Sequence, residues 1–269
     1  MTHQEPSTGY DDLLTLAVDV AREAAALVAE RRRAGVEVAD TKTSPTDVVT
    51  EVDHAAEELI RTRLLKARPD DGFVGEEGSN DTSDSGVTWV VDPIDGTGNF
   101  LYGIPQYAIS IAARIGDEVV AGVVVDVVKG ETFTATRGGG AHLDGRRIAV
   151  RDVVPLGQRL VITGFSYERD TRMAQAAAVH ELLGRVRDVR RLGSAALDLC
   201  YVGCGRADAY VEEGLNEWDL AAGGLVAEES GARLAVRPGV GGKQCVIASP
   251  AGGYEEFVAA VEDCGFLAD

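Results

Sequence analysis

The sequence predicts an α/β (α+β) protein whose two halves are patterned differently. Three observations carry this. Helical apolar spacing fills residues 11–33 and 53–67, near the start of the chain. Residues 107–150 are short runs rich in Val, Ile and Ala, joined by turn dipeptides. From residue 155 onward strand and helix patterns alternate to the end. Residues 10–154 therefore form an expected N-terminal α+β half and residues 155–269 a C-terminal α/β half. The boundary is expected at Val154-Pro155-Leu156-Gly157.

The composition narrows the function classes. A chain of 269 residues with 45% hydrophobic and 26% charged residues is an ordinary soluble globular protein with a sizeable core. A net charge of −18 lacks the basic footprint of a general nucleic-acid binder, and none is expected as a partner. The same field repels phosphorylated ligands unless local cations reverse it. The four cysteines, Cys200, Cys204, Cys245 and Cys264, have no zinc or redox spacing and read as core residues. The polar start lacks a signal-peptide apolar region, and no run of about 18 apolar residues occurs. A cytoplasmic protein away from membranes is expected.

Taken in order, residues 1–9 read as a flexible tail. Leu13, Leu14, Ala17, Ala21, Ala24, Ala25 and Val28 then recur at helical spacing. Asp11 and Asp12 open that helix and Arg31, Arg32 and Arg33 close it, matching its dipole. The first part of residues 41–53 is loop-like, polar with a proline, and carries Lys42. A second helix starts near Asp53, with Ala56, Leu59, Ile60 and Leu64 inward. Asp53 suits a capping role there. Phe73 and Val74 form a short strand ending in Gly75-Glu76-Glu77, followed by a polar loop over 79–86.

Trp89-Val90-Val91 is a short buried strand expected to stop at Asp92-Pro93, because proline cannot donate to a sheet ladder. Strands are expected over 107–115, 119–128, 132–135 and 148–150, with Gly116-Asp117 and Asp144-Gly145 as hairpin turns. Gly138-Gly139-Gly140 follows a strand but precedes no helix, so it is not a dinucleotide loop. The second half reads as strands at 160–164, 189–192, 209–211, 233–236 and 245–248. Its helices are expected at 173–183, 194–204, 218–229 and 254–264.

The chemistry concentrates at 89–100, Trp-Val-Val-Asp-Pro-Ile-Asp-Gly-Thr-Gly-Asn-Phe. Asp92 and Asp95 flank a tight turn, and two carboxylates this close repel unless a cation lies between them. Oxygen donors of this kind suit Mg²⁺ or Ca²⁺. Gly96 and Thr97 can bring backbone amides to an anion. Taken alone, Asp-Pro-x-Asp-Gly is equally an ordinary turn. Gly193-Ser194 opens a helix with free amides, and Asp219 lies in the first turn of another. Glu212 and Glu213 end the strand before it. His3, His54, His142 and His180 are scattered, and no Ser-His-Asp or reactive-cysteine arrangement presents itself.

Four spaced pieces agree: Gly75-Glu76-Glu77, the 89–100 stretch, Gly193-Ser194-Ala195-Ala196, and Trp218-Asp219-Leu220-Ala221-Ala222-Gly223. Together they resemble the inositol monophosphatase family of magnesium-dependent, lithium-sensitive phosphatases, over nearly the whole chain. The resemblance implies a layered αβαβα sandwich of the sugar-phosphatase type, both halves forming one catalytic unit, and in most members a homodimer. It implies two or three Mg²⁺ ions, with Glu76, Asp92 and the Ile94 carbonyl holding the first and Asp92, Asp95 and Asp219 the second. Glu76 also matches a residue linked to a third ion.

Asp53 and Thr97 resemble the pair that orients and deprotonates the attacking water, and Lys42 a loop lysine that helps close the site. Gly96 and Thr97 match a phosphate cradle, and Gly193, Ser194 and Ala195 backbone contacts to substrate. Glu212 matches an acceptor for sugar hydroxyls, with Asp95 and Asp219 also facing the substrate. The expected activity is hydrolysis of inositol monophosphate. The alternatives are histidinol phosphate, fructose 1,6-bisphosphate or 3′-phosphoadenosine 5′-phosphate as substrate, or a regulatory binding protein on the same fold, since some relatives bind transcription machinery. The chain departs from the family at Gly98, in the near match Thr43-Ser44-Pro45-Thr46, and at Glu217, beside the substrate pocket.

Overall fold

The structure is a computed structural model that describes residues 9–35, 38–41 and 48–268. Lys42 and the rest of its loop lie outside the described residues. The helices are α1 (Asp11–Ala34), α2 (Glu51–Ala67), α3 (Thr97–Tyr102), α4 (Arg169–Leu183), α5 (Ala195–Gly203), α6 (Glu217–Glu229) and α7 (Tyr254–Asp263). The first strands are β1 (Val38–Thr41), β2 (Val48–Thr50), β3 (Gly72–Gly75), β4 (Asn80–Asp81), β5 (Val87–Asp95), β6 (Ala108–Ile115), β7 (Glu118–Asp126), β8 (Thr132–Thr136), β9 (Gly140–Leu143) and β10 (Arg146–Arg147). The later strands are β11 (Leu160–Thr163), β12 (Asp188–Arg190), β13 (Ala209–Glu213), β14 (Ala232–Pro238) and β15 (Gln244–Pro250).

An eight-stranded sheet, ordered β10-β9-β8-β7-β6-β5-β3-β4, and a five-stranded sheet, ordered β12-β11-β13-β15-β14, build the body. Alternation along single strands shows how they stack. On β5, Trp89 and Val91 pack with Leu13, Ala17 and Ile60 of α1 and α2, whereas Val90 points the other way, toward α5 and α6. In the smaller sheet Tyr210 and Val246 join that same middle layer, while Val211 and Ile247 face α4 and α7. The order of layers is therefore α1/α2, large sheet, α5/α6, small sheet, α4/α7. Two glycines permit the tight middle layer. A Cβ on Gly122 would stand 3.0 Å from the Ala222 Cα, and one on Gly223 would stand 2.7 Å from the Ala196 carbonyl.

Several expectations change. β5 does not stop at Pro93 but continues to Asp95. Asp92 pairs with Ser110 and Asp95 with Ala108, so one extra residue is accommodated between them. That irregularity absorbs the missing proline donor and turns both carboxylates toward one end of the strand. Residues 148–150 form no strand. The Ile148 amide bonds to the Ala141 carbonyl and that of Val150 to the Ser230 carbonyl, while both side chains pack on the middle layer. The apolar pattern there marks burial, and the extended backbone crosses between elements. Asp144-Gly145 does make a hairpin turn, with both residues at positive φ, but it joins β9 to β10. α2 begins two residues early, with Thr50 as its cap.

Candidate active site

A cleft of about 320 Å³ opens where the C-terminal end of β5, the starts of α3, α5 and α6, and the end of β13 converge. Each carboxylate reaches it by a local device. Asp92 and Asp95 project from the irregular end of β5. Asp219 is the third residue of α6, and its Oδ2 accepts the Asn216 amide at 2.7 Å, closing a capping box. Glu76 sits in the turn after β3. Asp92, Asp95 and Asp219 each bring an oxygen within 4.8 Å of the other two.

Asp92 and Asp95 are buried and Asp219 is half-buried. No ion pair among the described residues involves Asp92, Asp95 or Asp219. Burial, and next the Glu76 charge, hold Asp92 well above the ordinary carboxylate range. Burial does the same to Asp219, with Asp95 and Glu76 adding to it. Burial lifts Asp95 to about 6, against the pull of its bonds from Ser194 and Ala196. An all-oxygen donor set that resists ionisation by itself suits a hard divalent cation, so the residues present fit Mg²⁺.

Beside the cluster lies a hydrogen-bonded dyad. Asp53 is fully buried. Its Oδ2 accepts the Thr50 amide at 2.9 Å and the Thr50 hydroxyl at 2.5 Å, which caps α2. Its Oδ1 accepts the Thr97 hydroxyl at 2.9 Å. One carboxylate thus caps α2 and holds the Thr97 hydroxyl. Burial raises the affinity of Asp53 for a proton, offset in part by these bonds. The Thr97 hydroxyl has one hydrogen and a second acceptor in reach, the Ile94 carbonyl at 3.0 Å. Gly96 has φ 98°, and a Cβ there would meet the carbonyls of Gln106 and Gly193 at 3.0 Å, so glycine is required.

At the start of α5 two of the expected free amides are already engaged: those of Ala195 and Ala196 donate to Asp95 at 3.2 and 2.8 Å, and the Ser194 hydroxyl donates to it at 2.6 Å. The anion held at this helix start is Asp95 itself, and Gly193, Ser194 and Ala195 line the cleft. Glu212 stands on another wall, its Oε2 accepting the Tyr210 hydroxyl at 2.8 Å, and burial pushes it up to about 7. Of the candidate site residues, Lys42 lies outside the described residues, as does the Thr43-Ser44-Pro45-Thr46 segment beside it.

Sequence reasoning missed three groups. Asn99 Nδ2 donates to the carbonyls of Gln106 and Leu192, both at 2.8 Å, tying α3 to the loop before α5. Arg191 lines the cleft, and its charge draws the Glu212 carboxyl back down. Glu57 on α2 holds the turn that carries Glu76. Only Glu57 had a sequence signal, its four-residue spacing from Asp53 on a helix.

The family model for the inositol monophosphatase family matches residues 10–264. The chain belongs to the inositol monophosphatase family. Inositol-1-monophosphatase SuhB of Mycobacterium tuberculosis is 45% identical over 270 residues, covering 93% of each chain. A Nus factor SuhB of Pasteurella multocida is 40% identical over 221 residues, covering 81% of this chain and 83% of that one. The crystal structure of the extragenic suppressor protein suhB from Bartonella henselae superposes with a TM-score of 0.87 at 33% identity, covering 93% of this chain and 98% of that one. Membership of the inositol monophosphatase family supports a phosphatase on this fold. Among the described residues no helix is long and apolar enough to cross a membrane.

Proposed function

We propose that the protein hydrolyses a phosphomonoester of a small polyol, inositol monophosphate foremost, to the free polyol and phosphate. The observation that carries this reading is the convergence of Asp92, Asp95 and Asp219 within 4.8 Å beside the Asp53–Thr97 dyad. In this reading two or three Mg²⁺ ions are held by Glu76, Asp92, the Ile94 carbonyl, Asp95 and Asp219. When bound, such ions ease deprotonation of the attacking water and neutralise charge on the phosphoryl oxygens.

The chain's own residues supply the rest. Thr97 accepts a hydrogen bond from the attacking water while donating its own hydrogen to Asp53. As the water oxygen bonds to phosphorus, its proton passes to the Thr97 oxygen and the Thr97 proton to Asp53 Oδ1. The bond from phosphorus to the polyol oxygen breaks, and the leaving oxygen takes a proton from solvent. A buried carboxylate with raised proton affinity is the better acceptor for this transfer. Gly96 lets the backbone approach the phosphate closely. Gly193, Ser194 and Ala195 wall the substrate side, and Glu212 accepts from polyol hydroxyls. The Lys42 loop is assigned to site closure by resemblance alone. A homodimer belongs to the same proposal by resemblance alone, and four free thiols fit a reducing cytoplasm.

The test is phosphate release with Mg²⁺ from inositol 1-phosphate, fructose 1,6-bisphosphate, histidinol phosphate and 3′-phosphoadenosine 5′-phosphate. Preference for inositol phosphate, abolished by chelator, is expected. Preference for another substrate keeps the mechanism and replaces the substrate. The name Nus factor carried by a relative favours a second reading, a regulatory binding protein. Silence across the panel would favour that one.

A further inference from the structure

The inward face of α2 carries a polar stripe. Asp53, Glu57 and Arg61 recur every four residues, so their side chains stand one above another. Each grips a different segment packed beside α2. Asp53 holds Thr97. Arg61 holds Asp81 of β4 through two bonds, at 2.6 and 2.8 Å. Between them Glu57, only 2% exposed, reaches the turn after β3. Its Oε2 accepts the Glu77 amide at 2.7 Å, and its Oε1 accepts the Ser79 amide at 3.2 Å.

The turn is shaped around this carboxylate. A Cβ on Gly75 would run into the Glu57 carboxylate, so a side chain there must displace it. The Gly75 amide bonds to the Ser79 carbonyl at 2.8 Å, and the Glu76 amide to the Val91 carbonyl at 3.2 Å. Glu76 is thus fixed from two sides: by β5, which also carries Asp92, and by Glu57, which clamps the amide immediately after it.

We infer that Glu57 is a positioning residue for the metal-binding turn: its carboxylate fixes where Glu76 stands beside Asp92 and so sets the cation affinity of the cluster. This rests on the proposed metal role of that cluster. A carboxylate can accept from two amides at once, whereas glutamine must turn an NH₂ toward one of the two backbone donors. E57Q therefore opens one side of the clamp while keeping side-chain volume. Outer partners of metal ligands commonly carry a factor of about 10–100 in affinity.

The test is direct binding of Mn²⁺ to the full-length, metal-stripped protein, by calorimetry or by loss of the free-ion spin-resonance signal. Wild type is expected to bind, and E57Q to bind about 10–100-fold more weakly. G75A, which expels the Glu57 carboxylate, is expected to weaken binding similarly, and the double variant to lose little more than either single one. I60V, a core change on the same helix, is expected to lower Tm without moving Mn²⁺ affinity. E57D keeps the charge with a shorter reach, is expected between wild type and E57Q, and carries the test if E57Q does not fold. Wild-type affinity in a folded E57Q or E57D overturns the inference. So does an equal loss in I60V, which would reduce Glu57 to a stability residue. Absence of Mn²⁺ binding by the wild type overturns the metal role itself, and the inference with it.

Discussion

Replacing Asp53 by asparagine separates the structural role of this residue from its chemical one. Its Oδ2 takes two bonds from Thr50, and its Oδ1 takes one from Thr97. In D53N the amide oxygen keeps the Thr50 side, since both partners there are donors. The NH₂ then faces Thr97 and donates to it. The Thr97 hydroxyl must turn to its other acceptor, the Ile94 carbonyl at 3.0 Å. The hydrogen-bond count is kept, but the Thr97 hydrogen now points to a carbonyl, and no base remains to take the proton. The cap survives in neutral form, so the stability loss is about 1 kcal/mol or less. That corresponds to a Tm change of roughly 2–4 °C in a chain of this size. Loss of a positioned base lowers kcat by about 10²–10⁴-fold. The assay is kcat for phosphate release at saturating Mg²⁺ beside a thermal melt of the same sample. A folded D53N that keeps more than about a tenth of wild-type kcat, set against the general-base range, would refute the relay.

Other outcomes follow from the same contacts. Glu212 has a folded value of about 7, above its unfolded value of 4.5, so its ionisation opposes folding. Stability of metal-free protein is expected to fall as pH climbs through that window, by up to about 3 kcal/mol from this group. Thermal melts in chelator at pH 5 and pH 8 check this, with E212Q showing the smaller drop. G223A is expected to lose about 1–3 kcal/mol, because its Cβ would meet Ala196 backbone. Helix propensity alone predicts the opposite sign, and denaturant unfolding decides. G98A is expected to gain about 0.5–1 kcal/mol, since a Cβ there meets nothing within 4 Å. The same unfolding assay applies.

Local patterns made much of the fold legible. The 3.6-residue apolar spacing of α1 and α2 and the alternation of strand and helix after residue 155 each survive in the structure. Expectations failed where one local rule met a tertiary constraint. Pro93 was expected to end its strand, but the irregular pairing with β6 carries the backbone past it. Ile148 and Val150 pack on the middle layer without joining a sheet. At the site, the acids of β5 suggested a cation from sequence alone, yet the same residues also read as a turn. The resemblance, and then the structure, joined them to Asp219, more than a hundred positions away. Asn99 stayed hidden because its carbonyl partners near residue 192 become neighbours only on folding.

The central claim is that the buried carboxylates hold the cation that hydrolysis requires. The most direct measurement is phosphate release from inositol 1-phosphate by wild type and by D95N across a Mg²⁺ titration, with a chelator control. Saturable activation of the wild type, abolished by chelator, and a silent but folded D95N are predicted. Hydrolysis by chelated wild type, or by D95N at the wild-type rate, would contradict the account.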